Sequence, residues 1–600
     1  MTPPTPLCHN AARSECSVCN KADSMPCSTC RLDYYCSVAH QKRDWPRHKL
    51  GCGVLKVERS SRIGRYLIAT KDIPAGTVVL RDTAFPVPNY NTDLPQVLCA
   101  ACCKVLSATG FTQCSLCGWP VCGDACGGGP GHRRECAAFQ RAGFKLAKCE
   151  LQGNHKLIWR ALGALKTYFG TLEHSWLRDL QSDYVHDATD KELGAELDAK
   201  RSGWRTAARW LRGALGLLWL EEEDLVRAAA RNDINAIGGV YGVVTQPTDP
   251  AALADTGAIF AGLSLLEHNC TPSCSASSNG VVDTFSTDDF PNPAESVIKS
   301  FEGQKGRADN FVTTTRLVRK GEHLSIDYLD DPLISTSVRR KRLRNWGFRC
   351  DCERCTDPSE FGLYLESACC ASCSAKGSRH FLIFNEVKKI FICEGCGHEE
   401  VEDPAWIEQL AFSALLDKPD TGVVELHRFV ERSVWPRGLL HATHSLVIEA
   451  KSTMVQFARP DHLLGAGGIP DQKILELLST ACRDLLSALD MSGQGLCARR
   501  CNLLNPLIFA MKIHLLADLK PLVMDGKYFG AMTAYAPRVR ELEKLTKELR
   551  QMLPPGPGPE KILFEKVHMA ELDFLLSVTG CKLPSPDALS NMRSFLELHA

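Results

Sequence analysis

Cysteines and histidines at short, fixed spacings are the residues of this chain best suited to chemistry. Residues 16–52 run C-x2-C-x7-C-x2-C-x5-C-x3-H-x7-H-x3-C, through Cys16, Cys19, Cys27, Cys30, Cys36, His40, His48 and Cys52. Eight thiolates and imidazoles make two closed tetrahedral shells, the structural rather than the catalytic kind of zinc site. So little apolar sequence lies between them that metal binding has to supply the folding energy. A second block repeats the grammar more loosely, with a glycine-rich run at Gly127–Gly131. Its ligands are Cys99, Cys102, Cys114, Cys117, Cys122, Cys126, His132 and Cys136, and it predicts another two-zinc finger. Further on, Cys350-x-Cys352-x2-Cys355 offers three thiolates, so a fourth ligand must come from elsewhere. Cys370-x2-Cys373 and Cys393-x2-Cys396 then bracket a short β-like segment, the pattern of a zinc ribbon.

The elements that must position these ligands follow from composition and periodicity. The 600 residues, at 44% hydrophobic and 23% charged, suffice for three or more domains with real cores. Seventy Lys+Arg balance 70 Asp+Glu, which argues against an acidic solvating chain and against a basic nucleic-acid coat. The longest apolar stretches, such as Ala258–Leu266, are too short for a membrane helix, and Met1–Arg13 lacks an apolar signal core. Thirty cysteines in close pairs then read as metal ligands in a reducing compartment, the cytoplasm and nucleus, rather than as a disulfide scaffold.

Between the fingers, Arg65–Ala69 and Thr77–Arg81 flank the turn Ile73-Pro74-Ala75-Gly76 and predict a hairpin. Ile158, Leu162, Leu165, Phe169, Leu172, Trp176 and Leu180 form the stripe of one amphipathic helix, read as core rather than as a cofactor face, and residues 204–234 add more helix. Phe311–Val318 and Leu324–Tyr328 predict two strands joined across Lys320-Gly321, after a polar surface insertion at Ser275–Asp309. Beyond 401, helical periods at Leu439–Phe457, Ile474–Leu489, Leu507–Leu519 and Leu542–Met552, with breaks such as Pro554–Pro559, suggest stacked antiparallel helices with a groove for a partner.

Three more stretches keep a fixed order: Ile63-Gly64-Arg65-Tyr66-Leu67; Ser264-Leu265-Leu266-Glu267-His268-Asn269-Cys270; and Gly321-Glu322-His323-Leu324-Ser325-Ile326-Asp327-Tyr328-Leu329-Asp330, followed by Phe348-Arg349-Cys350-Asp351-Cys352. They resemble, in turn, the Gly-x-Gly strand, the Ser-x-x-Asn-His-Ser-Cys turn and the Gly-Glu-Glu…Tyr strand with post-SET cysteines of a split SET domain. The first cysteine block, with its Asp44-Trp45-x-x-His48 tail, resembles a MYND finger, although His40 stands where cysteine is commoner. Together they are similar to the SET-and-MYND methyltransferases, especially the arthropod SmydA branch, over roughly residues 16–400.

The resemblance implies an α+β fold: a small β-rich SET domain with an inserted zinc finger and a helical insertion, an N-terminal MYND finger, and an all-helical, TPR-like C-terminal domain. The expected boundaries are a flexible tail (1–15), MYND finger (16–52), SET N-terminal part (56–96), second finger (99–136), helical insertion (140–234), SET core (235–348), post-SET zinc loop (349–357), zinc ribbon (362–400) and helical domain (401–600). It also implies that Cys270 joins Cys350, Cys352 and Cys355, with Cys274 the nearby alternative. Twenty-four ligands at four per ion then make six zincs.

The implied activity is S-adenosylmethionine-dependent methylation of histone or non-histone protein lysines, with Tyr328 beside the transferring methyl. Gly64, Arg65, Asn235, Glu267, His268, Tyr328 and Phe348 would hold the cofactor. His268 and Asn235 would act through backbone and side-chain hydrogen bonds, and Phe348 would pack on the adenine. Three positions depart from the pattern. Tyr66 replaces the second glycine and Glu267 the cofactor-binding Asn; Trp346 stands in for a channel tyrosine. These departures support an alternative, a weak or silent SET/MYND interaction protein acting as a corepressor adaptor. Expected partners are a lysine-bearing protein and, at the finger, proline-containing peptides or corepressors. The basic stretch Gln41–Lys49 is read as protein-binding; neither nucleic acid nor membrane is expected, and the chain is expected to be a monomer. Arg339-Arg340-Lys341-Arg342 is read as a solvated helix face rather than a nuclear address.

Overall fold

The computed structural model describes residues 9–11, 15–19, 21, 24–60, 64–88, 97–106, 111–147, 155–184, 191–237, 257–279, 309–329, 331–457, 471–524 and 532–552, with 569, 572, 575, 576 and 579. Ile63, Asp330, residues 280–308 of the polar insertion and the break Pro554–Pro559 lie outside them. The chain divides into two compact units. One comprises Met1–Glu267, Ala276–Ser325 and Arg344–Phe348; the other His268–Ser275, Ile326–Leu343 and Arg349–Ala600.

In the first unit, Met25–Pro26 pairs with Tyr34–Tyr35, and the helix Val38–Gly51, capped by the Ser37 hydroxyl, carries both His40 and His48. Strand Gly64–Ala69 pairs antiparallel with Leu55–Ser60 along its whole length. Its other edge takes Ala69 N–H to the Glu322 carbonyl (3.0 Å) and Leu324 N–H to the Leu67 carbonyl (2.9 Å). Val78–Thr83 lies between Asp309–Thr314, antiparallel, and His9–Ala11, parallel. Three expectations are corrected here. Arg65–Ala69 and Thr77–Arg81 are not a hairpin; the turn between them meets the other side of the sheet, with Ile73 N–H on the Val318 carbonyl and Gly76 N–H on the Thr314 carbonyl, both 2.8 Å. Phe311–Val318 and Leu324–Tyr328 likewise turn at Lys320-Gly321 to different partners. Part of the tail expected to be flexible is a strand. The common cause is that alternation marks a segment as a strand but leaves its partner to be chosen by faces distant in sequence.

Helices His155–Glu173, Lys191–Gly213 and Glu222–Asn235 form the helical insertion. The long stripe is not one helix. It ends at Glu173, extended His174 caps the short turn Ser175–Arg178, and Leu172 points outward at 56% exposure. Ile158, Leu162, Leu165 and Phe169 share one core with the second finger, where Trp119 stacks on Phe139 (5.3 Å) and meets Trp159 edge-on (5.9 Å), while Trp176 and Leu180 pack in a separate cluster with Val87 and Ile259. Lys166 is buried at the seam. Its ammonium donates to the carbonyls of Ala100 (2.9 Å), Ala101 (3.1 Å) and Gly131 (2.7 Å), with Glu135 Oε1 at 3.6 Å. Burying an ammonium is tolerable only with such partners.

In the second unit, Ala368–Cys369, Phe381–Asn385, Ile390–Cys393 and Glu399–Glu400 form a four-stranded antiparallel ribbon. Helices Trp406–Leu416, Val423–Ser433, Ser445–Gln456, Gln472–Met491, Ala498–Met524 and Ala536–Met552 follow. The expected helix Leu439–Phe457 begins only at Ser445, because His444 Nδ1 caps it by accepting Leu446 N–H (3.2 Å). No helix among the described residues is long and apolar enough to cross a membrane.

Lys166→Ala leaves three carbonyls and Glu135 without their cation, and we expect a loss of about 3–5 kcal/mol of stability. Denaturant unfolding followed through tryptophan fluorescence measures it; an unchanged midpoint would remove the lysine from the account of how the second finger is held.

Candidate metal centres and active site

The ligand blocks fold into interleaved quartets. Cys16, Cys19, Cys36 and His40 form one group and Cys27, Cys30, His48 and Cys52 the next; the second finger repeats this with Cys99, Cys102, Cys122, Cys126 and with Cys114, Cys117, His132, Cys136. Within each quartet the donor atoms lie within 4.8 Å of one another. A tetrahedral zinc with 2.3 Å bonds sets sulfurs about 3.8 Å apart. Cys27 and Cys52 are 3.8 Å apart, Cys114 and Cys136 3.8 Å, Cys370 and Cys396 3.7 Å, and Cys373 and Cys393 3.7 Å. The donor chemistry and spacing therefore fit zinc. His40 faces its group through Nδ1, while His48 and His132 use Nε2. Asp33, which the sequence reading passed over, accepts from His48 Nδ1 at 3.0 Å with both side chains fully buried. It fixes the tautomer that leaves Nε2 free for a metal. An Asp one turn from a CxxC is too common a neighbour to have marked itself.

The last quartet joins distant segments. Cys270 lies 3.9 Å from Cys350 and 3.5 Å from Cys355, and these three group with Cys352; Cys274 is outside the group. Around them the basic run is no solvated face. Arg339 is fully buried, its guanidinium on Glu360 (2.6 Å), the Ile334 carbonyl (2.6 Å), Thr336 (2.7 Å) and Cys355 Sγ (3.4 Å). Arg340 donates to the carbonyls of Cys350 (3.2 Å) and Cys355 (2.8 Å). Only Lys341 and Arg342 of the four stay exposed. Buried Arg354 adds a second guanidinium, 3.5 Å from Glu360. A thiolate-rich centre draws cations into a site where they would otherwise be costly.

His268 links this centre to Tyr328. Its Nδ1 accepts Tyr328 N–H at 3.1 Å, and its Nε2 lies 3.3 Å from Cys270 Sγ. Since Nδ1 is the acceptor, Nε2 carries the proton and donates to the sulfur. Burial pushes the imidazole down to about 4, consistent with a neutral ring. The His268 and Tyr328 rings are 5.3 Å apart, and Tyr328 is half-buried. Both ring nitrogens of His268 are thus engaged within the protein.

The other candidate residues lie in the first unit. Gly64 has φ +72° and open space where a Cβ would stand. Arg65 Nη1 is 3.5 Å from Asp179. The Asn235 amide donates to the carbonyls of Gln181 (3.0 Å) and Arg231 (2.9 Å) at the helix end. Asp82, buried, accepts Leu263 N–H (3.0 Å) at the start of the turn leading to Glu267. Glu267 Oε1 takes His323 Nδ1 at 2.7 Å, and the Tyr66 ring lies tilted against His323 with centroids 4.5 Å apart. Trp346 and Phe348, both half-buried, flank Gly347; its φ is +78°, and a Cβ there would strike Tyr184 at 2.4 Å.

The MYND finger family matches residues 16–52. The histone-lysine N-methyltransferase Smyd1 of Mus musculus is 22% identical over 52% of this chain and 57% of its own length. The SET domain-containing protein SmydA-8, isoform A, of Drosophila melanogaster is 21% identical over 54% of this chain and 60% of its own. Residues 16–52 are a MYND finger, and about half of the chain is similar to these SET-and-MYND proteins. The SET domain and MYND-type zinc finger protein 6 of Schizosaccharomyces pombe is similar only locally, 40% identical over 50 residues. The match spans little more than half the length of the first two relatives.

We expect elemental analysis to find about six zincs, and Cys270→Ala to lose one while the others stay. Full zinc content in the variant would show that Cys270 is no ligand.

Proposed function

We propose that the chain is an S-adenosylmethionine-dependent protein-lysine N-methyltransferase of SET type, acting on histone or other protein lysines. The observation that carries this reading is Tyr328, held by its backbone on His268, which is itself fastened to Cys270. The relatives named as histone-lysine N-methyltransferases support the same class. The bound cofactor supplies an electrophilic sulfonium methyl group. In this reading the Tyr328 hydroxyl orients the lysine amine and adds a fixed dipole without removing its proton. A half-dry channel lowers the amine from its ordinary pKa of about 10.4, so that it attacks as the free base. The open backbone at Gly64, with Arg65 and Phe348, suits close approach of the cofactor. Glu267 would accept from its ammonium group while sharing its charge with His323. Asn235 and His268 would hold the cofactor by backbone and side-chain hydrogen bonds, and the quartets described above would hold six structural zincs.

The MYND finger is a protein-interaction module, and Trp45, 46% exposed on it, suits a proline-containing peptide or a corepressor. A working place in cytoplasm and nucleus fits free thiols in such number. One observation favours the second reading, a catalytically silent adaptor. Tyr66, His323 and Glu267 already satisfy one another, with a ring where a glycine would leave space.

Titration with S-adenosylmethionine separates the two readings. We expect binding below millimolar concentration and methyl transfer to a protein mixture, with Tyr328→Phe lowering turnover about a hundredfold or more. Absence of binding at millimolar cofactor would leave the adaptor; full activity in the phenylalanine variant would displace Tyr328 from its role.

A further inference from the structure

The turn after helix Gln472–Met491 reaches back to the cysteine corner. Gln494, 5% exposed, donates from Nε2 to the backbone carbonyl of Cys270 at 2.8 Å. Beside it Gly493, at φ +73°, comes so close to Thr271 that a Cβ would lie 3.0 Å from that side chain. The turn is braced from behind. Gln494 N–H meets the Leu489 carbonyl (3.0 Å), and buried Arg500 donates to the carbonyls of Gly495 (3.0 Å) and Gln494 (3.3 Å). The same guanidinium pairs with Asp490 and, at 3.1 Å, with Glu548. One arginine thus ties the end of one helix, the turn and a third helix into a fixed support for a single amide.

That amide acts on a short relay. The Cys270 sulfur lies 3.3 Å from His268 Nε2, and His268 Nδ1 receives the Tyr328 N–H at 3.1 Å. We propose that Gln494 is a positioning residue for Tyr328: the helical domain sets the backbone at Cys270, and through Cys270 and His268 it sets where the tyrosine stands. The role in turnover rests on the methyltransferase reading, while the positioning itself does not. Gln494 lies 224 residues from Cys270 and reaches it at the backbone carbonyl, so this influence runs through the main chain. A buried carbonyl that loses its donor has no water to replace it, and the segment bearing it shifts or loosens.

The test uses full-length, zinc-loaded protein carrying Gln494→Glu, which keeps the shape and turns a donor into an acceptor. Gln494→Met serves if the first variant does not fold. Hydrogen exchange is read at the Ile326–Leu329 segment, with the second finger around Lys166 as the control for global stability. We expect the Tyr328 amide to exchange about tenfold faster, the control to be unchanged, and one of the zincs to pass to a chelator about tenfold faster. With an active wild type, kcat should fall by a similar factor while KM for S-adenosylmethionine stays within twofold. A folded variant with an unchanged Tyr328 amide overturns the inference, whatever its activity. Faster exchange with an unchanged kcat overturns the link to turnover. If the wild-type protein transfers no methyl group, the proposed function falls, and amide exchange still decides whether Gln494 positions the tyrosine.

Discussion

The closure of Cys270 onto Cys350, Cys352 and Cys355 is the constraint on which the rest of the second unit depends. It joins residues 80 apart in sequence. Closing a flexible loop of that length costs about 4 kcal/mol beyond a constant term. A structural zinc contributes roughly 10–16 kcal/mol, so the metal is the term able to hold the corner. Four thiolates around a Zn2+ would leave two formal negative charges, which would account for the company they keep. Arg339 and Arg354 bring two guanidiniums into full burial against a single carboxylate, Glu360. Without the metal-thiolate centre that arrangement would carry an uncompensated cation, a cost far above the worth of its hydrogen bonds.

The opposite logic governs Tyr66, His323 and Glu267. Tyr66 and Glu267 depart in type from what the SET motifs would place there, yet with His323 they form one contact set. Read singly, Tyr66 crowds a backbone and Glu267 puts negative charge where an amide would be neutral. Together, an imidazole offsets the carboxylate and an aromatic ring shields the imidazole. Such mutual satisfaction fits two cases, a cofactor site rebuilt around a different anchor and a site no longer used. The fold tolerates either, because strand Gly64–Ala69 keeps its partners on both edges.

What the sequence made legible follows from how local each signal is. Metal ligands come in pairs a few residues apart, so the blocks, the ribbon and the missing fourth ligand could be read from spacing, and Cys270 through family resemblance. Helix periodicity marked the insertion and the C-terminal helices but not their ends: the helix expected from Leu439 begins at Ser445, and the one expected over Leu507–Leu519 runs over Ala498–Met524. Partners were not legible. The side chains of Gly64–Ala69 alternate equally well whether the strand pairs with Leu55–Ser60 or with Val78–Thr83, and only the assembled faces decide. The burial of Arg339 was hidden for the same reason, since four basic residues in a row look solvated until a thiolate cluster is brought to them from 80 residues away. Gln494 carried no signal, being a polar residue in a polar turn whose partner is a carbonyl elsewhere in the chain.

The two fingers show how one ligand grammar serves different ends. The second finger adds aromatic residues, Trp119 and Phe139, to a core shared with the helical insertion, and Lys166 pins its carbonyls from the facing helix. Metal held there would stabilise a piece of scaffold. The first finger has an internal polar frame instead, with Asp33 shared between His48 and Arg47, and it leaves Met25, Val38 and Trp45 uncovered. Large apolar side chains stay outside at a cost in hydration unless something covers them. A module held by metal and ion pairs can keep such residues exposed without losing its fold, because its stability does not depend on burying them. That independence from a hydrophobic core suits the first finger, rather than the second, to present apolar surface to a partner.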